Sequence, residues 1–164
     1  VGRQEGLDDS MNAVGLSPYE VLTIASIIER EAKVPEDRAK ISRVIYNRLS
    51  LGMPLEIDAT LFYKQNTDLP FLELKAIDSP YNTYLFTGLP PTPISNPGRA
   101  AINAALNPAP NPSSGDPICR EITDSSPCSY LYYVLSDKDG RHVFAASLAQ
   151  HQINVQAAIV AGVL

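Results

Sequence analysis

Two acids set two residues apart, Glu29 and Glu31, open the chemical possibilities of this chain. A carboxyl group that keeps its proton near neutral pH can act as general acid and then, as carboxylate, as general base. The surrounding residues have helical spacing, with Val21, Ile24, Ala25, Ile28 and Ala32 forming one apolar stripe. At about 100° per residue the two acids project roughly 200° apart, so they do not form a carboxylate pair. Each lies instead at an edge of the stripe, Glu29 over Leu22 and Ala25, Glu31 over Ile24 and Ile27. Covered there by neighbouring chain, a carboxyl is expected to hold its proton more tightly through desolvation. The ordinary structural alternative is an exposed helical ion pair between Glu29 and Lys33, worth a few tenths of a kcal/mol. Helix geometry does not choose between the two.

The other reactive side chains face similar alternatives. Asp58 stands before a short helical segment, where capping is its simplest role. His142 and His151 are acid/base candidates, although His151 shares a face with Leu148 and Val155 and so reads as a hydrogen-bonded, partly buried histidine. Ser147 reads as a helix cap, and no serine sits in a nucleophile-elbow pattern. No Gly-rich phosphate loop or metal-spaced cluster occurs, so neither cofactor nor metal is expected. Tyr81-Asn82-Thr83-Tyr84 offers aromatic faces and amides suited to sugar rings, on a loop stiffened by Pro80, Pro90, Pro91 and Pro93. Equally, such a loop can simply pack over a core. The net charge of -5 argues against nucleic acid as partner, since phosphate binding needs a dense Lys/Arg surface.

The elements that must position these residues follow from local signals. Residues 1–16 are polar and Gly-punctuated, as in a linker remnant, and 17–164 form the expected domain. Ser17-Pro18-Tyr19-Glu20 is a capping box with proline at the first helical position. Val34-Pro35-Glu36-Asp37 ends that helix and starts another, lined by Ile41, Val44, Ile45 and Leu49 and closed by Gly52. Asp58 is expected to cap a third helix, and Asn96 with Pro97 to open a fourth that stops before Pro108. Tyr130–Leu135 reads as a strand, Asp137–Gly140 as a hairpin turn, and His142–Ala145 as the returning strand. Ser147 and Gln150 resemble a second capping box for the last helix. Helices, an irregular Pro-rich groove segment, a C-terminal β-hairpin and a final helix together predict an α+β fold.

Cys119 and Cys128 lie close together in an irregular Pro/Ser-rich stretch spanning 109–127, where a short-loop disulfide is the simplest reading. Such a bond implies an oxidising, extracytoplasmic compartment. No apolar run approaches the roughly 20 residues of a membrane-spanning helix. The chain opens with Val1 rather than Met, so any membrane anchor is expected upstream of it.

On these residues the sequence resembles the YceG-like family, the endolytic murein transglycosylases also called MltG. The resemblance runs through Leu22–Glu31, Asn47–Leu49, Gly52–Leu55, Asp58–Thr60, Ser79–Tyr84, Gly88–Pro91, Pro93–Ile94, Asn96–Gly98, Ala104–Leu106 and Tyr130–Val134. His142, Phe144 and His151 complete the order. It implies lytic cleavage within peptidoglycan glycan strands, with Glu29 as the catalytic residue, and an anchor with a small LysM-like module upstream. Glu29 would protonate the glycosidic oxygen between N-acetylmuramic acid and N-acetylglucosamine. It would then deprotonate the C6 hydroxyl of the same muramic residue, closing a 1,6-anhydro ring without a second carboxylate. By the same motif matching, Asp58, Tyr81, Asn82 and Tyr84 would orient sugar, Glu31 would support the site, and His142 and His151 join the substrate-binding set. Cell-wall synthases or division proteins are the partners so implied. Thr92 stands where the family commonly has glycine, Gln150 where glutamate is common, and the 109–127 connection is longer than usual. A hydrolytic muramidase using Asp58, and a non-catalytic glycan-binding module, are the competing functions.

Overall fold

The computed structural model describes residues 15–65, 68–122 and 126–164, which fall into two compact units. One comprises the chain up to Glu31 together with Arg48–Asn107, the other Ala32–Asn47 together with Pro108–Leu164. The architecture is α+β, as the sequence predicts. Of the expected linker, only Gly15 and Leu16 lie within the described residues.

In the first unit, α1 (Pro18–Glu31) opens with the expected capping box. The Ser17 N–H donates to Glu20 Oε2 at 2.8 Å and the Glu20 N–H donates to Ser17 Oγ at 3.3 Å. The Ser17 hydroxyl also donates to that carboxylate, and hydroxyl and N–H together hold Glu20 below the usual carboxylate range. Ile24, Ala25 and Ile28 are wholly buried on the inner face, each isoleucine contributing roughly 1.5–3 kcal/mol. The principal partner of α1 is α5 (Arg99–Leu106), whose buried face is Ala101, Ala104 and Ala105. Small side chains let two helices approach closely, and that approach carries the start of α5 to the end of α1.

Two helix starts differ from expectation. Helix α3 (Asp58–Phe62) has Ile57 at its N-cap, and Asp58 is its first helical residue rather than its cap. Its carboxylate is drawn away to Tyr84, as described below. Helix α5 begins at Arg99, with Gly98 as N-cap, instead of at Pro97 after an Asn96 cap. Hydrogen bonds from Ser95 and Gly98 to α1 hold this stretch extended and override the local Asn-Pro signal. Helix α4 (Phe71–Ala76) follows Pro70 and buries Leu74.

The second unit is built on a 3-10 turn (Pro35–Asp37) and the first ten residues of α2 (Arg38–Ser50), with Ile41, Val44 and Ile45 buried. Helix α2 ends as predicted: Gly52 takes φ 66° and the Met53 N–H reaches Arg48 O at 2.9 Å. Strands β1 (Tyr132–Leu135) and β2 (His142–Ala145) pair antiparallel, Tyr132 opposite Ala145 and Leu135 opposite His142. Helix α6 (Leu148–Val160) packs on this hairpin. Only half of its expected capping box forms. Ser147 Oγ accepts the Gln150 N–H at 3.1 Å, but the Gln150 amide donates along the helix to Asn154 Oδ1 instead of back to Ser147. Cys119 and Cys128 form the expected disulfide. Among the described residues no helix is long and apolar enough to cross a membrane.

Candidate active site

The last two turns of α1 meet the Pro-stiffened segment through a ladder of hydrogen bonds. Ser26, fully buried on the apolar face, accepts the Ile94 N–H on its hydroxyl at 2.9 Å and donates to Thr23 O at 2.7 Å. Its carbonyl accepts the Ser95 hydroxyl at 2.8 Å. One turn further, on the same side, Glu29 Oε2 accepts the Gly98 N–H at 3.1 Å. The segment from Ile94 to Gly98 therefore runs beside α1 and ends against the Glu29 carboxylate, at the start of α5.

Glu29 is nonetheless solvent-exposed, which corrects the expectation of a carboxyl covered by neighbouring chain. Its Oε2 is held by the backbone N–H of Gly98, while the residue as a whole stays open to solvent. The alternative ion pair with Lys33 loses its basis too, because α1 ends at Glu31, before Lys33 is reached.

A second cluster gathers three of the predicted residues. The Tyr84 hydroxyl donates to Asp58 Oδ1. Burial pushes the Tyr84 phenol far above its usual range, the bond to Asp58 adds to this, and the charges of Asp58, Glu56 and Glu31 push the same way. Glu31 thus acts on the Tyr84 phenol, as the smallest of these influences, while Glu29 bonds the Gly98 N–H. Glu56 is held by Arg48, whose buried guanidinium also donates to Pro54 O and Leu55 O.

Tyr81 and Asn82 do not present the free groups expected of them. The Tyr81 hydroxyl lies 2.9 Å from Thr92 Oγ1, and its ring tilts against Tyr63 at 4.9 Å. Thr92 thereby ties the tyrosine loop to the proline segment. Asn82 is 2% exposed. Its amide donates to Lys75 O and Ile77 O, and its oxygen accepts the Tyr84 and Leu85 N–H groups. With every polar position committed, Asn82 shapes the loop and is not available to sugar. Thr83, equally buried, receives the Ile57 N–H and pairs with Thr60, fastening the loop to the start of α3.

His142 and His151 belong to the second unit. The His142 side chain is buried, and both its backbone N–H and Nδ1 engage Asp37 Oδ2, at 2.8 and 2.9 Å. These bonds tie the start of β2 to the turn before α2. His151 stacks on Tyr132, ring centroids 5.1 Å apart, which agrees with a partly buried helix histidine. Among the described residues no His/Cys/Asp/Glu group is arranged to hold a metal. A groove of about 450 Å³ lies between Tyr19, Glu20 and Thr23 and the Gly88–Pro91 stretch. It sits at the opposite end of α1, roughly 15 Å along the helix from Glu29.

Sequence reasoning assigned no individual role to Ser26 or Gly98. Ser26 carried a usable signal, being a polar residue amid a buried apolar stripe.

Comparisons with known proteins bear on the family of this chain. The model of the YceG-like family matches residues 3–157. An endolytic murein transglycosylase of Bacillus subtilis is 41% identical over 139 residues, 83% of this chain and 33% of that protein. One from Streptococcus pneumoniae D39 is 32% identical over 92% of this chain and 28% of its own length. The crystal structure of a yceG-like protein from Listeria monocytogenes superposes with a TM-score of 0.72 at 35% identity, covering 90% of this chain and 43% of that one. The chain spans about a third of the length of these curated relatives. On the extent of the family match and on these identities, the chain belongs to the YceG-like family.

Proposed function

We propose that this chain is the catalytic part of an endolytic peptidoglycan lytic transglycosylase. It cleaves the β-1,4 bond between N-acetylmuramic acid and N-acetylglucosamine within glycan strands and leaves a 1,6-anhydro muramic end. The observation that carries the reading is the Glu29 carboxyl: open to solvent on one side, fixed on the other by the Gly98 N–H, on a helix end clamped to a stiff loop. Protonated, it donates to the bridging oxygen. As carboxylate it takes the C6 hydroxyl proton, and that oxygen attacks the anomeric carbon as the ring closes. The substrate supplies the nucleophile, so one protein carboxyl suffices. Asp58, oriented by the Tyr84 hydroxyl, supports the developing positive charge. Tyr81, Asn82 and Glu31 position that loop and that pair. The disulfide suits an extracytoplasmic setting, at the outer face of the cytoplasmic membrane, with any anchor upstream and wall synthases or division proteins as companions.

Digestion of purified glycan strands, read by mass spectrometry, tests this. The parent should yield anhydro-muramic ends, and Glu29→Gln should slow release by about 10³-fold, as expected for loss of a general acid/base. Asp58 is exposed and held by Tyr84, which favours one competing reading, hydrolysis with Asp58 as second carboxylate. Products heavier by one water would establish that reading instead. Equal turnover by parent and Glu29→Gln would remove Glu29 from the chemistry.

A further inference from the structure

The tyrosine loop carries a lysine at each end, and the two lysines are not alike. Lys75 Nζ lies 4.1 Å from the centroid of the Tyr84 ring, beside the phenol on which Asp58, Glu56 and Glu31 act. Lys75 itself is half-buried. Lys64 Nζ lies 5.3 Å from the Tyr63 centroid and 5.5 Å from the Tyr81 centroid, and the residue is exposed. Among the described residues no carboxylate forms an ion pair with Lys64. Its backbone sits at φ 59°, a left-handed conformation that a side-chain-bearing residue adopts at a cost. A long flexible side chain is thereby held against two rings in a chain of net charge -5, with its charge unanswered.

That ammonium is joined to the catalytic wall by successive contacts. Tyr81 bonds Thr92, Thr92 bonds Pro93 O, the next residues Ile94 and Ser95 bond Ser26, and Ser26 stands one helical turn before Glu29. A ligand lying along the Pro-stiffened segment toward Glu29 would meet Lys64 through groups hanging from the strand rather than through its sugar rings. Sugar hydroxyls are neutral; the anionic groups of a murein strand are carboxylates on the substituent at O3 of muramic acid.

We propose that Lys64 is a carboxylate-binding subsite that reads the O3 substituent of a muramic residue, an inference resting on the glycan-cleaving reading above. Two sources share this chemistry, the lactyl carboxylate itself and the carboxylates of an attached peptide.

Binding to purified strands separates them. Peptide-bearing strands, strands freed of peptide by an amidase, and both after carbodiimide amidation of their carboxylates are titrated against parent, Lys64→Gly, Lys64→Gln and Lys64→Arg proteins. Glycine relieves the left-handed backbone, so Lys64→Gly removes the charge without threatening the fold. Amidation should weaken the parent about tenfold, the size of one charge-assisted hydrogen bond, while leaving Lys64→Gly and Lys64→Gln nearly indifferent. Lys64→Arg should keep the parent's preference. Sensitivity confined to peptide-bearing strands assigns the peptide carboxylate; sensitivity that persists after amidase treatment assigns the lactyl group. An amidation penalty equal in parent and Lys64→Gly overturns the subsite while leaving the glycan reading intact. A folded parent that binds and cleaves none of the strands overturns that reading, and the subsite with it.

Discussion

Glu29 and Asp37 are carboxylates eight residues apart that serve opposite ends. Asp37, in the second unit, is 7% exposed, and one of its oxygens receives both the backbone N–H and Nδ1 of His142. Glu29, in the first unit, is exposed and takes one backbone N–H, from Gly98. A buried acceptor with two donors fixes a hairpin strand to a turn and has no room for a reacting atom. An open acceptor with one donor keeps lone pairs uncommitted, as the role proposed for Glu29 requires. In the proposed reading, aiming without saturating distinguishes the reactive carboxylate from the structural one, and burial and partner number separate the two where residue type does not.

Breaking each carboxylate should therefore separate activity from stability. Glu29→Gln, expected to cost about 10³-fold in turnover, should shift the urea midpoint within about ±0.5 kcal/mol, as for an exposed residue. Asp37→Ala should reverse the pattern. It strands two buried donors of His142, so destabilisation of about 3 kcal/mol is expected from denaturation curves. If Asp37→Ala left stability untouched, the contrast would fail. A smaller effect in the same unit concerns the disulfide. Replacing Cys119 and Cys128 by serine opens a loop of nine residues' separation and should cost about 2–3 kcal/mol, with turnover of the folded fraction unchanged.

Much of the fold was legible because its signals are local. The Ser17–Glu20 box, the Gly52 stop, the Asp137–Gly140 turn and the close cysteines each need only a few consecutive residues. Gly140 shows how strict such a signal can be: φ is 91°, and a Cβ there would lie 2.5 Å from Lys33 Cβ. The site was legible only in part. Stripe geometry placed Glu29 and Glu31 at opposite edges, but the choice between them came from resemblance. Contacts between distant residues leave no periodic trace. Asp37 meets His142 across 105 positions, Gly98 meets Glu29 across 69, and Tyr84 meets Asp58 across 26. For that reason the partners of two candidate residues, His142 and Asn82, could not be read from the sequence. Asn82 did carry a local hint, since an asparagine often bonds the backbone two residues on, and it does so here with Tyr84.

The subtlest expected effect lies in the Asp58–Tyr84 pair, and pH exposes it. Burial first, then the bond to Asp58 and the nearby acids, raise the Tyr84 phenol well above the roughly 10 of an unfolded tyrosine. A raised folded value means that the stabilisation is fully present below pH about 10 and is lost as pH climbs beyond it, because the unfolded chain releases the proton first. Tyr84 is only part-buried, so solvent screening reduces the effect to about 0.5–1 kcal/mol at pH 11. Urea midpoints of the parent measured from pH 8 to pH 11 should fall more steeply than those of Tyr84→Phe. At pH 8 the variant should be weaker by about 1 kcal/mol for the lost hydrogen bond, and the two curves should converge as the medium becomes alkaline. Parallel curves would mean that Tyr84 does not hold Asp58 in solution. Asp58 would then be an unsupported surface acid, and of the two carboxylates proposed to face the sugar only Glu29 would be held in place by the fold.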